Sequence, residues 1–206
     1  MQRTTGIFGG SFNPIHLGHT GLARYLVESG HVDEVWLMVS PHNPLKASAT
    51  LVPEADRLRM AEIAVEKIPG VEASAFEFAL PRPNYTAHTL RRLAQAYPDR
   101  RFSLIIGEDN WRVFGLWREY AYILRHYPLL VYPRSGEVGA DGGQVAQISR
   151  TEMKNALSVE HVSAPEFPYS ATAVRHALQS GDSRAAEMID ADVLAYIRAK
   201  DLYKTL

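Results

Sequence analysis

Gly9-Gly10-Ser11-Phe12-Asn13-Pro14-Ile15-His16-Leu17-Gly18-His19 is the stretch whose reading settles the architecture of this chain. Before it stands the β-prone run Thr5-Gly6-Ile7-Phe8, and after it Leu22, Tyr25 and Leu26 recur at helical spacing. Strand, glycine-rich turn and helix in that order bring free backbone N–H groups and the positive end of a helix dipole together, a combination suited to phosphate. Gly9 and Gly10 leave no side chain where a ligand would touch the backbone, and Pro14 stiffens the turn. With Leu17 in the first helical turn, His16 and His19 project from one edge, and Gly18 between them leaves that face open. Two imidazoles so placed can donate hydrogen bonds to phosphoryl oxygens and stabilise charge that builds up on them. Singly, such features are ordinary: His-x-x-His also occurs by accident on helix surfaces, or as part of a zinc set. Metal pairs favour i, i+4, however, and no nearby Cys or Glu completes a ligand set, so the conjunction favours phosphate.

Outward from this stretch, Glu34-Val35-Trp36-Leu37-Met38-Val39 reads as a second, near-continuously apolar strand, which makes a βαβ unit with a parallel sheet. The loop Ser40 to Lys46 begins at that strand's C-terminal end, where ligands gather in open α/β sheets, and Lys46 is a candidate phosphate contact there. Pro53 to Ile68 reads as an amphipathic helix with Leu58, Ala61, Val65 and Ile68 inward and Arg57 and Arg59 solvated. Val71 to Phe78 reads as a weaker strand. Thr86 or Asn84 would cap a helix whose apolar face is Leu90, Leu93, Ala94 and Tyr97.

Phe102 to Ile106 is the clearest buried strand and runs into Gly107-Glu108-Asp109, so Asp109 sits over the sheet end, where it could hold ribose hydroxyls or a hydrated metal, or simply cap a helix. An aromatic helical segment follows with Trp111, Phe114, Trp117 and Tyr120, then a strand at Pro128 to Tyr132 and a loop rich in glycine, Gly136 to Gly143. Val159 to Val162 reads as a strand. Ser170 then caps a helix that carries Thr172 and Arg175 in its first turns, two hydroxyls and a guanidinium able to neutralise a polyphosphate. Glu187 to Leu202 reads as a terminal helix with Ile189, Val193 and Ile197 inward.

The 206 residues suit a single α/β domain, 1–206, whose C-terminal helical part begins near 170. The expected fold is Rossmann-like and doubly wound, with a mostly parallel sheet and helices on both faces. A formal net charge of -1 gives no bulk electrostatic case for nucleic acid or an anionic membrane as partner. The absence of cysteine excludes a disulfide scaffold, a cysteine nucleophile and thiolate metal sites. No apolar run approaches the ~20 residues of a membrane span, so a cytoplasmic location is expected.

The segment Gly9-Gly10-Ser11-Phe12-Asn13-Pro14 followed by His16-Leu17-Gly18-His19 resembles the signature of the nucleotidyltransferase superfamily that includes the nicotinate and nicotinamide mononucleotide adenylyltransferases. Ser170-x-Thr172-x-x-Arg175 resembles the second, ATP-binding signature of the nicotinate branch. Pro83 to Thr89, Ile105 to Asp109, Trp117 to Tyr120 and Val193 to Ile197 match in family order, with Tyr169 and Glu108 as departures. By that resemblance Gly9, Gly10, Ser11, Phe12, His16 and His19 surround the reacting phosphates, and Ser170, Thr172 and Arg175 hold the triphosphate. His16, His19 and Arg175 would carry the catalysis, and Gly107 and Asp109 would also contact ATP. Tyr85, Thr86 and Trp117 would form the nicotinate pocket, with Asp109 and Lys46 near ribose or phosphate. The resemblance implies transfer of AMP from ATP to nicotinate mononucleotide, with Mg2+ bound mainly through ATP rather than by side chains, and leaves a homo-oligomer open.

Overall fold

The computed structural model describes residues 2–41, 51–134 and 148–204. In chain order the elements are β1 (Arg3–Gly10), α1 (Leu17–Glu28), β2 (Glu34–Val39), α2 (Glu54–Val65), β3 (Val71–Ser74), α3 (Thr86–Ala96), β4 (Arg100–Gly107), α4 (Glu108–Arg112), α5 (Tyr120–His126), β5 (Leu129–Tyr132), α6 (Arg150–Lys154), β6 (Val159–His161), α7 (Ala171–Ser180), α8 (Ala185–Met188) and α9 (Ala191–Ala199). They group into two units, Met1–Phe8 with Tyr85–Glu166, and Gly9–Asn84 with Phe167–Leu206. The fold is α/β and Rossmann-like.

In the first unit the strand order is β1-β4-β5-β6, every pairing parallel. Ile7 lies opposite Leu104, Ile106 opposite Val131 and Gly107 opposite Tyr132. Residues Phe102 to Gly107 of β4 are all buried, as a parallel strand covered on both faces requires, and this explains the uninterrupted apolar run. β6 is the edge, and its Glu160 and His161 are exposed. Because β4 joins β1 rather than the strand before it in sequence, the chain changes winding direction there, and Gly107 closes β4 with Asp109 just past its carboxyl end.

The second unit pairs β2 with β3 in parallel, Val35 opposite Val71 and Leu37 opposite Ala73. Helices α1 and α2 pack on these strands, and α9 packs on α2. Ile15, Leu22, Leu26, Leu37, Met60, Val193 and Ile197 form its core. Tyr196 of α9 donates to Asp56 of α2 at 2.7 Å.

Three elements differ from the sequence-based expectation. Val71 to Phe78 is not one strand: β3 stops at Ser74, and Phe76–Ala79 forms a 3-10 turn. The aromatic segment is broken into α4, a 3-10 turn at Phe114–Leu116, and α5, which follows Glu119 in a left-handed conformation with φ 57°. The terminal helix is two, because Ile189 is extended and the Asp190 carboxylate accepts from the Asp192 and Val193 N–H groups, starting α9 afresh. The capping expected of Thr86 or Asn84 is absent: Tyr85 holds the cap position without a side-chain bond, and Thr86 is the first residue of α3. The glycine loop from Gly136 to Gly143 lies outside the described residues.

Candidate active site

His16 and His19 are built into the start of α1 as a reciprocal cap. The Gly18 N–H donates to His16 Nδ1 at 3.2 Å, and the His16 N–H donates to His19 Nδ1 at 3.2 Å. Both rings accept at Nδ1, so each neutral imidazole carries its proton on Nε2. The rings stack with centroids 3.7 Å apart and 27° between planes, so the two imidazoles lie face to face as the helical spacing anticipates. Gly18 has a reason other than the open face expected of it. A Cβ there would lie 3.0 Å from the His16 ring and 3.2 Å from the Phe167 side chain, so the face is filled. Glycine lets the imidazole fold over the backbone N–H that caps it.

The turn ahead of the histidines is held from several sides. Phe12 adopts φ 44°, a left-handed conformation uncommon for a bulky residue, and its ring stands edge-on to His19 at 5.0 Å. Asn13 Oδ1 accepts from the Val52 N–H at 3.3 Å and from the Tyr203 hydroxyl at 2.9 Å. Tyr203 is 3 % exposed, and burial pushes its phenol well above the usual range, so it stays a donor. At Gly10 a Cβ would come within 3.1 Å of the Phe12 ring, whereas at Gly9 a Cβ meets nothing within 4 Å among the described residues. The described part of the fold therefore has no steric use for glycine at position 9. Gly9→Ala should leave the melting temperature unchanged yet, with phosphate against this turn as the family resemblance implies, lower kcat/KM for ATP by about tenfold or more; thermal unfolding beside steady-state kinetics checks both halves.

The second signature reaches the same turn. Ser170 caps α7 by accepting from the Ala173 N–H at 3.1 Å. Arg175 donates to the Asn13 carbonyl at 2.8 Å and to Thr172 Oγ1 at 3.2 Å. One guanidinium thus joins the start of α7 to the glycine turn, with Thr172 exposed and Arg175 half-buried. The expectation that Arg57 is solvated is overturned. It is 1 % exposed, and its guanidinium donates to the carbonyls of Ser11 at 2.6 Å, Ser40 at 2.7 Å, Pro41 at 2.8 Å and Val52 at 3.1 Å. Burial lowers its pKa, an effect the Glu54 charge opposes. Arg59, by contrast, is exposed and pairs with Glu62 at 3.1 Å.

In the other unit, Asp109 turns back over the end of β4. Its Oδ1 accepts from the Asn110 N–H at 2.9 Å, and its Oδ2 lies 3.6 Å from Arg134, just past β5. A Cβ at Gly107 would fall 2.5 Å from the Asp109 carboxylate, so this glycine makes room for the acid. Tyr85 lies under the Arg118 guanidinium, 4.8 Å from ring centroid to Cζ. Trp117 packs on Phe114 with centroids 5.2 Å apart, and its buried Nε1 has no acceptor among the described residues. The segment around Trp117 is anchored by Glu119, paired with Arg91 of α3, which holds the Glu119 carboxyl below the usual range, and by Tyr120, bonded to Glu152. Lys46 lies outside the described residues.

Sequence reasoning missed Arg57, Tyr203, Arg118 and Arg134. Arg134 alone had a signal, since it follows a sheet strand's C-terminal end as Asp109 does. Among the described residues no group of three or more His, Cys, Asp or Glu side chains is arranged to hold a metal ion, and no helix is long and apolar enough to cross a membrane.

A model of the cytidylyltransferase-like family matches residues 7–177, which sets the class. A Bacteroides fragilis protein named "Probable nicotinate-nucleotide adenylyltransferase" is 49% identical over 182 residues, 88% of this chain and 85% of that protein. A Flavobacterium johnsoniae protein of the same name is 35% identical over 97% of this chain and 98% of its own length. The structure of Plasmodium falciparum nicotinic acid mononucleotide adenylyltransferase complexed with NaAD matches with a TM-score of 0.76 at 17% identity, covering 98% of this chain and 97% of the other, a likeness of fold. This chain belongs to the nicotinate-nucleotide adenylyltransferase family of nucleotidyltransferases.

Proposed function

We propose that this chain transfers the adenylyl group of ATP to nicotinate mononucleotide, releasing pyrophosphate and nicotinate adenine dinucleotide. The observation that carries the reading is the mutually capped, stacked pair His16 and His19, whose shared hydrogen-bond pattern leaves both protons on Nε2. Such donors suit phosphoryl oxygens and need no protein nucleophile beside them.

In this reading an oxygen of the mononucleotide's phosphate attacks the α-phosphorus of ATP in line. A new P–O bond forms as the bond between the α-phosphorus and the bridging oxygen breaks, and pyrophosphate carries that electron pair away. The histidines steady the phosphoryl oxygens through the transition state, while Arg175, Thr172 and the capped start of α7 hold the triphosphate. Magnesium, bound to the ATP phosphates, supplies charge neutralisation. On the acceptor side, the first N–H groups of α3 at Thr86 suit a carboxylate, and Trp117 supplies a flat indole with a buried N–H donor in reserve. Tyr85 joins Thr86 and Trp117 on the acceptor side, Asp109 and Lys46 are assigned to ribose or phosphate, and Gly107 contacts ATP.

The test is pyrophosphate release from Mg-ATP with nicotinate mononucleotide and, in parallel, with nicotinamide mononucleotide. The acid should be preferred by about tenfold or more in kcat/KM, one charge against helix N–H groups. Preference for the amide would keep the chemistry and overturn the Thr86 pocket; silence with both would overturn the reading.

A further inference from the structure

Four backbone carbonyls from three places in the chain converge on one buried cation. Arg57, in the first turns of α2, donates to Ser11 in the glycine turn, to Ser40 and Pro41 at the end of β2, and to Val52 ahead of its own helix. Both backbone groups of Val52 are held, its carbonyl accepting from Arg57 and its N–H donating to Asn13 Oδ1. Residues 11 and 13 of the turn are thus tied to one anchor. We propose that Arg57 is a positioning residue for adenylyl transfer, fixing the Ser11–Phe12 peptide and, through Phe12, the placement of His19. The proposal rests on the functional reading above.

The argument runs through the rigidity of one peptide. A trans peptide is planar, so a carbonyl held by Arg57 sets the direction of the Phe12 N–H on the opposite edge. Phe12 is then held at φ 44°, a conformation that a bulky side chain keeps only when its surroundings enforce it. In that conformation its ring stands edge-on to His19 at 5.0 Å. With the Ser11 carbonyl released, Phe12 returns to an ordinary φ and its ring leaves the imidazole. An apolar side chain here would leave these carbonyls without a donor, so Arg57 also stabilises the fold, and a role in positioning must show itself in turnover of folded protein. What the guanidinium uniquely supplies is a planar fork reaching several carbonyls at once.

The test compares the wild type with Arg57→Lys and Arg57→Met. Lysine keeps the charge and loses the fork. In Arg57→Lys, shown to be folded by circular dichroism at the assay temperature, kcat should fall by about fivefold or more, with KM for each substrate within about threefold of the wild type. Arg57→Met should lose more kcat than Arg57→Lys. A folded Arg57→Lys variant whose kcat falls less than that overturns the proposal, whatever its melting temperature or KM, because a purely structural anchor lowers stability and leaves turnover of the folded fraction intact. Should neither variant fold, the wild type decides: labelled at phenylalanine nitrogen, its Phe12 amide resonance should shift on saturation with a non-hydrolysable ATP analogue, and an unmoved resonance overturns the proposal. A wild type silent with both mononucleotides marks failure of the functional reading instead, visible before any variant is made.

Discussion

Replacing His19 by alanine lowers kcat by at least about a hundredfold, the scale of losing one preorganised donor to a transition-state oxygen. Two functions of the ring must be separated to read that result. Its Nδ1 accepts from the His16 N–H and so helps begin α1, while its Nε2–H faces away from the cap. Losing the cap alone costs about 1 kcal/mol of stability, which the buried face of α1 can absorb. His19→Asn places an acceptor where Nδ1 was and no donor where Nε2–H was, so it should restore thermal stability and stay inactive. His19→Gln reaches the Nε2 position with an N–H and should recover part of kcat. Near-normal turnover in His19→Ala, or recovery by Asn and not Gln, would remove the imidazole from the chemistry.

Arg175→Ala should lower kcat/KM for ATP by about a hundredfold, because the proposed charge-assisted contact to phosphate and the brace on the turn would vanish together. The guanidinium bonds the Asn13 carbonyl and Thr172 Oγ1 at once, which a single ammonium cannot do in the same geometry. Arg175→Lys should therefore fall between the wild type and alanine: charge retained, brace weakened. Steady-state kinetics over a range of ATP, with direct titration of a non-hydrolysable analogue, measures both. An alanine variant within about threefold of the wild type in kcat/KM sinks the assignment.

What was legible in the sequence was whatever depends on neighbours along the chain. β2 was read at its observed bounds, because a strand buried on both faces writes its own apolar run. Ser170 was read as a cap because capping spans three residues. The paired histidines were legible because their mutual cap closes within one helical turn. Arg57 was not: its burial depends on carbonyls from Ser11, Ser40, Pro41 and Val52, and periodicity sees only that it lies off the apolar stripe. The break at Ile189 escaped notice because the apolar spacing of Ile189, Val193 and Ile197 runs straight through it, all three being buried. Gly18 was read as leaving a face open, whereas a Cβ there would meet the His16 ring and Phe167; at Gly107 a Cβ would meet the Asp109 carboxylate, a constraint set by the fold that the sequence does not display.

The hydroxyl of Tyr203 has a bearing on the timing of the chain's own birth. Everything in the glycine turn leaves the ribosome early, but the group that steadies Asn13 is synthesised 190 positions later. Val52 and Arg57, which also hold this turn, follow it closely, so the Tyr203 bond is the late addition. Closing so long a loop is the slow kind of contact, made once the intervening strands and helices have shortened the path between its ends. The Asn13 side chain gains its second donor only once residue 203 has been made and docked.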